Sequence, residues 1–206
     1  MSTQLARPNR RRVIPALVVG VAIIAALVYW RTSASADAGS PGAAPYDDPR
    51  AAGAITLCSA DGKPVTEGSV DDRPFAAVAL GETGLPAELD PAGTVATLFA
   101  YQPREGVSAS EFSGTAITAA GLQADPASPV VVVPDNAWSL GDFVAAYPAD
   151  LDGYVQLRLF LGTPAAGTLT DHPYDTADLH IDGDRWELVT GGSASCASAT
   201  QTSEEN

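Results

Sequence analysis

From Tyr154 to Leu161 the chain alternates without a break: Val155, Leu157, Leu159 and Leu161 take every second position, with Tyr154, Gln156, Arg158 and Phe160 between them. A period of two belongs to a strand, whose successive side chains point to opposite faces, and four aliphatics on one face need a second layer to cover them. The surrounding sequence repeats the theme in shorter pieces. Residues 55–58, 75–80, 94–101 and 130–133 are apolar runs broken by Gly, Pro and Asp, and the four valines of the last are bounded by Pro129 and Pro134. Residues 179–181 and 186–189 flank Asp182-Gly183, which supplies the positive φ of a tight hairpin. Helical signals are few: Ser108 to Glu111 caps a single turn, and Ser139 with Asp142 starts a short helix that runs through Phe143 to Tyr147 and stops at Pro148. The expected fold is all-β, an immunoglobulin-like antiparallel β-sandwich of about seven strands with one short helix, occupying residues 54–196.

Residues 13–30 form 18 consecutive apolar or small residues without a charge, preceded by Arg10, Arg11 and Arg12. About 20 such residues cross a hydrocarbon core about 30 Å thick, and the arginines before the run predict a cytoplasmic N-terminus. The expected organisation is a basic cytoplasmic tail (1–12), a transmembrane helix (13–30), a disordered linker (31–53), the extracytoplasmic sandwich (54–196) and a flexible C-terminal tail (197–206). The linker assignment rests on Ala, Ser, Gly and Pro, which bury too little surface to fold. Ala34-Ser35-Ala36 offers the alternative of a secreted protein released by signal-peptide cleavage near Ala36. The arginine triplet suits general secretion as well as twin-arginine export, and Cys58 lies too far beyond the apolar run for a lipidated cysteine.

All 25 acidic residues follow Trp30, against seven of the 11 basic ones, a balance of −18 for the exported part. Such a field repels phosphate backbones and excludes nucleic acid as a partner. The two cysteines, Cys58 and Cys196, stand near the two ends of the folded stretch and predict one disulfide formed in an oxidising compartment.

Residues 55–58 (Ile-Thr-Leu-Cys), 102–106 (Gln-Pro-Arg-Glu-Gly), 139–148, 152–159 and the stretch from Gly191 to Cys196 resemble an uncharacterised family of actinobacterial membrane-anchored envelope proteins. The resemblance implies an anchor, a linker and one disulfide-closed extracytoplasmic domain. It implies no activity, because the shared motifs consist of Gly, Pro, Tyr and alternating apolar residues.

No hydrolase or phosphate-binding motif occurs, and of the two histidines His180 lies in an alternating strand while His172 stands in a turn-rich stretch. Asp178, His180, Asp182, Gly183 and Asp184 imitate the start of a calcium loop, but Val189 occupies its twelfth position, where a bidentate Glu is required. Asp150, Asp152, Asp171 and Asp175 are the remaining acids that could meet a cation. No catalytic, cofactor-binding or metal-ligating residue is assigned, and no cofactor is expected. A carbohydrate-active hydrolase stays open as an alternative, since two carboxylates need no histidine. The reading favoured is a non-catalytic binding or scaffolding role at the cell envelope, with the lipid bilayer and an unknown envelope protein or polysaccharide as partners. Its candidate surface is the second face of the long strand: Tyr154, Arg158 and Phe160, extended by Tyr101 if residues 94–101 lie alongside. Alternatively, loops or the Phe143 helix cover that face as a satellite core.

Overall fold

In the computed structural model of the protein, residues 42–198 are described. Among them, twelve strands form two sheets. The nine-stranded sheet runs β3 (Glu67–Ser69), β12 (Arg185–Thr190), β11 (Tyr174–Asp182), β9 (Tyr154–Thr163), β5 (Val95–Gln102), β6 (Ser113–Ala116). Short strands extend it: β1 (Ala51–Ala54) on β11, β10 (Gly167–Thr168) on β9 and β7 (Gly121–Leu122) on β5. The three-stranded sheet is β2 (Thr56–Cys58), β4 (Val78–Leu80) and β8 (Val130–Val132). Of these pairings only β1 with β11 is parallel.

The alternation that opens the sequence defines the core. Val155, Leu157, Leu159 and Leu161 of β9 are joined by Ala96, Leu98 and Ala100 of β5 and by Ala177 and Leu179 of β11. Register explains the alignment, because Leu157 lies opposite Ala100 on one side and Ala177 on the other. Leu57, Ala79 and Val131 of the small sheet face them across the core. Burying these side chains supplies the main driving force of the fold. The helix α1 (Leu140–Ala146) adds Leu140 and Phe143 to the same core. It begins with the expected capping box, in which Ser139 Oγ accepts from Asp142 N and the Asp142 carboxylate accepts from Ser139 N. That backbone bond, with Arg73 alongside, holds the Asp142 carboxyl below its ordinary value.

Two devices close the edges. The Gln123 carboxamide accepts from Val130 N at 2.8 Å and donates to Val130 O at 3.0 Å, taking the place of a neighbouring strand beside β8. At the other end, residues 191–196 lie along β2: Gly192 N donates to Ile55 O and Ala194 N to Thr56 Oγ1. There Cys196 is bonded to Cys58, S–S 2.01 Å and Cα–Cα 5.6 Å, as the two cysteines predict. The pair packs with Val78 and Leu80 as a second small core.

The antiparallel two-sheet class is the one expected. Its strands divide nine and three, with a parallel pair, where an immunoglobulin constant-type domain divides seven as four and three. Strands missing from the expected seven, such as β3, β6, β7 and β10, are two to four residues of Gly, Ser, Thr and Ala or carry a lone larger residue, so no periodicity marks them. In the β11–β12 hairpin Asp182 pairs with Arg185, so the central residues are Gly183 (φ 60) and Asp184, one position beyond the Asp-Gly expected. Residues 42–53 are not a disordered linker but part of the domain: β1 pairs with β11, and residues before it lie on the large sheet. The expected transmembrane helix over 13–30 lies outside the described residues; among the described residues no helix is long and apolar enough to cross a membrane.

Candidate functional site

The second face of β9 is where the sequence located a binding surface, and strand pairing brings its members together as expected. Phe99 of β5 lies opposite Arg158, Tyr101 opposite Gln156, and from β11 Thr176 and Asp178 lie opposite Arg158 and Gln156. The exposure expected of that surface is absent. Arg158 and Phe160 are 2 % exposed and Tyr154 5 %, while Tyr101 is half-buried. Loops cover this face, as the alternative expected, and α1 does not: residues 42–50 and the 3-10 turn Ala109–Glu111 with Phe112 lie over Tyr154 and Arg158, while Phe160 packs among Phe99, Tyr101 and Tyr174.

Arg158 is the centre. Its Nε donates to Gln156 Oε1 at 2.6 Å and its Nη2 to the Ala109 carbonyl at 2.8 Å. The guanidinium lies 4.1 Å from the Tyr101 ring centroid, 5.1 Å from that of Tyr174 and 5.7 Å from that of Phe112. A delocalised, weakly hydrated cation suits such an aromatic frame. Its counter-charge arrives from the covering segment: the Asp48 carboxylate stands 3.3 Å from Nη2, 4 % exposed, and accepts from the Tyr174 hydroxyl at 2.9 Å. Burial, with the acceptor Asp48 beside it, pushes the Tyr174 hydroxyl well above its ordinary pKa.

Two residues earlier, Tyr46 sets its ring edge-on against Phe112 at 5.3 Å and Tyr154 at 6.5 Å, and its hydroxyl donates to Asp178 Oδ1 at 2.5 Å. Burial raises the Asp178 carboxyl above 3.8, and the nearby Asp48 charge adds to the rise, although hydrogen bonds from Tyr46, Thr190 and Gln156 oppose it. Burial and the Asp178 charge raise Tyr46 far more, so this phenol is a permanent donor. The segment is anchored further by Tyr154 Oη donating to Gly42 O at 2.6 Å and by Arg50 Nη1 donating to Thr170 O at 2.7 Å. Composition hid this cover among Ala, Gly and Pro. One signal was present: Tyr46 is the only aromatic residue between Trp30 and Phe75.

The acids considered for a cation are otherwise engaged or scattered. Asp175, 1 % exposed, points into the core and accepts from Glu82 N at 2.9 Å and Thr83 N at 3.0 Å. Gly53 and Gly81 leave the space it fills, since a Cβ at either would collide with its carboxylate. Asp171 is fully exposed beside Arg50. Asp150 and Asp152 line a polar cavity of about 580 Å³ with Pro45, Arg104, Glu105 and Leu151. Among the described residues no three His, Cys, Asp or Glu side chains converge as a metal site. His180 is a partly exposed strand residue whose ring meets Tyr154 edge-on at 5.5 Å. Among the described residues the aromatic side chain most open to solvent is Trp138, 42 % exposed, in the loop before α1.

Fold and site together define a disulfide-closed, two-sheet β domain whose arginine-centred face is sealed by its own N-terminal segment. No family model matches the chain, and no curated protein or solved structure does so either.

Proposed function

We infer that the chain is a single-pass, membrane-anchored envelope protein whose extracytoplasmic β-sandwich, in the immunoglobulin-like class, binds or scaffolds rather than catalyses. The observation that carries this reading is the Cys58–Cys196 disulfide, which joins residues 138 apart and so favours an oxidising compartment. The charge-free apolar run behind three arginines supplies the anchor, with the N-terminus inside and the domain outside. The resemblance to actinobacterial envelope proteins points the same way. Support for a non-catalytic role comes from the deepest charged groups: Arg158, Asp48, Asp178 and Asp175 are all engaged in holding segments of the domain to one another.

The test has three parts. In intact cells, added protease should digest the domain and a membrane-impermeant thiol reagent should label Cys58 and Cys196 only after reduction; a protected domain or free thiols without reductant would defeat the localisation. Intact mass of the exported form separates the anchored protein from a secreted one, since a mature chain starting near Asp37 has lost the apolar run. Chemical crosslinking in the intact envelope addresses binding: reproducible adducts support it, and a chain that crosslinks to nothing overturns it.

A further inference from the structure

We propose that the outer face of β5, β9 and β11 is a peptide-receiving surface for an aromatic residue followed two positions later by aspartate, filled within one molecule by Tyr46 and Asp48, and that its partner between molecules is the same segment of a second copy of this chain. The proposal deepens the binding reading above by naming the partner.

The face is built without its occupant. Arg158 is held by Gln156, the Ala109 carbonyl and the rings of Tyr101, Tyr174 and Phe112, all of them outside residues 42–50. Asp178 likewise is held in register between Gln156 of β9 and Thr190 of β12. Lift the segment away and the face presents a guanidinium without a counter-ion, a carboxylate short of one donor, and between them the edges of Phe112 and Tyr154. Each feature calls for one chemical group: a carboxylate on Arg158 and Tyr174, a hydroxyl donor on Asp178, and an aromatic ring in the gap. Tyr46 and Asp48 supply all three at fixed spacing. Unpaired buried charge is costly, so an emptied face takes a ligand of that chemistry or loses stability.

The occupant is also built to exchange. Residues 42–50 continue into the domain only at Ala51, through β1, whose parallel pairing with β11 shifts register between Ala51 and Gly53 and whose first two residues are exposed. Every anchor of Tyr46 and Asp48 is a side-chain interaction that an identical segment from a second molecule reproduces without a new contact. Exchange of an identical element is a low-cost route to a dimer. Within one molecule the segment has the advantage of effective concentration, so exchange becomes visible when the cis segment is disabled or copies are crowded.

The test uses detergent-solubilised full chains. Tyr46→Ala/Asp48→Ala vacates the face, and a fluorescent synthetic peptide of residues 42–50 is the probe, read by anisotropy. The variant should bind the peptide, the wild type at least about tenfold more weakly because its own segment competes, and adding Arg158→Gln should abolish binding. A second arm mixes the vacated chain with an Arg158→Gln chain, whose segment has lost its counter-ion, the two carrying different tags. They should co-purify, whereas two vacated chains should not. Peptide binding without co-purification overturns the second copy as partner, and absence of both overturns the receiving surface. Neither result touches the envelope crosslinking, which judges the broader reading alone. If the vacated chain fails to fold, judged by an unprotected disulfide under mild reductant, the wild-type chain carries the test: differently tagged copies incubated together at high concentration should co-purify, and the excess peptide should prevent it. Wild-type copies that never co-purify overturn the proposal.

Discussion

Asp48 and Asp178 are both buried carboxylates on one face, yet their substitution is expected to have opposite effects. Asp48 is the counter-ion of a guanidinium that has 2 % exposure, so Asp48→Ala strands the cation and should cost about 3 kcal/mol in urea unfolding. A loss below about 1 kcal/mol would mean that water reaches Arg158 and that the pair behaves as a surface one. Asp178 has no cation of its own: Tyr46, Gln156 and Thr190 offer it neutral donors, and its carboxyl is raised above 3.8 by burial. A group whose folded pKa is raised contributes stability below its unfolded value and loses that contribution as pH rises through the folded one. Asp178→Asn removes this titration, so the variant should gain on the wild type as pH rises from below 3.8 towards neutrality, and at pH 7 it should be at least as stable. Matched unfolding curves across that range check the sign; an advantage that shrinks with rising pH would contradict it. Sequence reasoning found Arg158, Tyr101, Tyr154 and Phe160 as one surface because period-two alternation fixes who shares a face. Their burial was invisible, since it depends on loop residues 49 to 112 positions away, and composition says nothing about such a contact.

Among the elements, β9 and α1 were legible because their signals are local: uninterrupted alternation for one, a Ser-Leu-Gly-Asp capping box before Phe143 for the other. The first half of β11 was not, since Asp175, Thr176 and Asp178 read as a polar loop. Their polarity is satisfied inside the fold, Asp175 by backbone N–H groups of residues 82 and 83 and Asp178 by Tyr46. The exposed edge of β8 shows the same substitution of side chain for strand. Gln123 meets both polar groups of Val130, and Gln123→Ala should cost about 1 to 2 kcal/mol for the bonds lost. It should also promote self-association through the uncovered edge beside exposed Val132, measured by light scattering over time at constant temperature. Unchanged stability together with unchanged solubility would show that the carboxamide only decorates the edge.

For the molecule as a whole, closure comes from two long-range ties of different kinds, the covalent Cys58–Cys196 bond and the hydrogen bond from Tyr46 to Asp178. Replacing both cysteines by serine should lower stability by about 5 kcal/mol in the chain-entropy description of so long a loop, read as a fall in the urea midpoint that reductant reproduces in the wild type and not in the variant. Equal midpoints would mean that the unfolded chain is already compact. The same two ties set a timetable. Tyr46 awaits a partner 132 positions further along, and Cys58 one 138 further. Whatever is synthesised first thus waits longest for its partner, and until β11 and the final turn are made the nascent domain shows its aromatic face and a lone thiol to its surroundings.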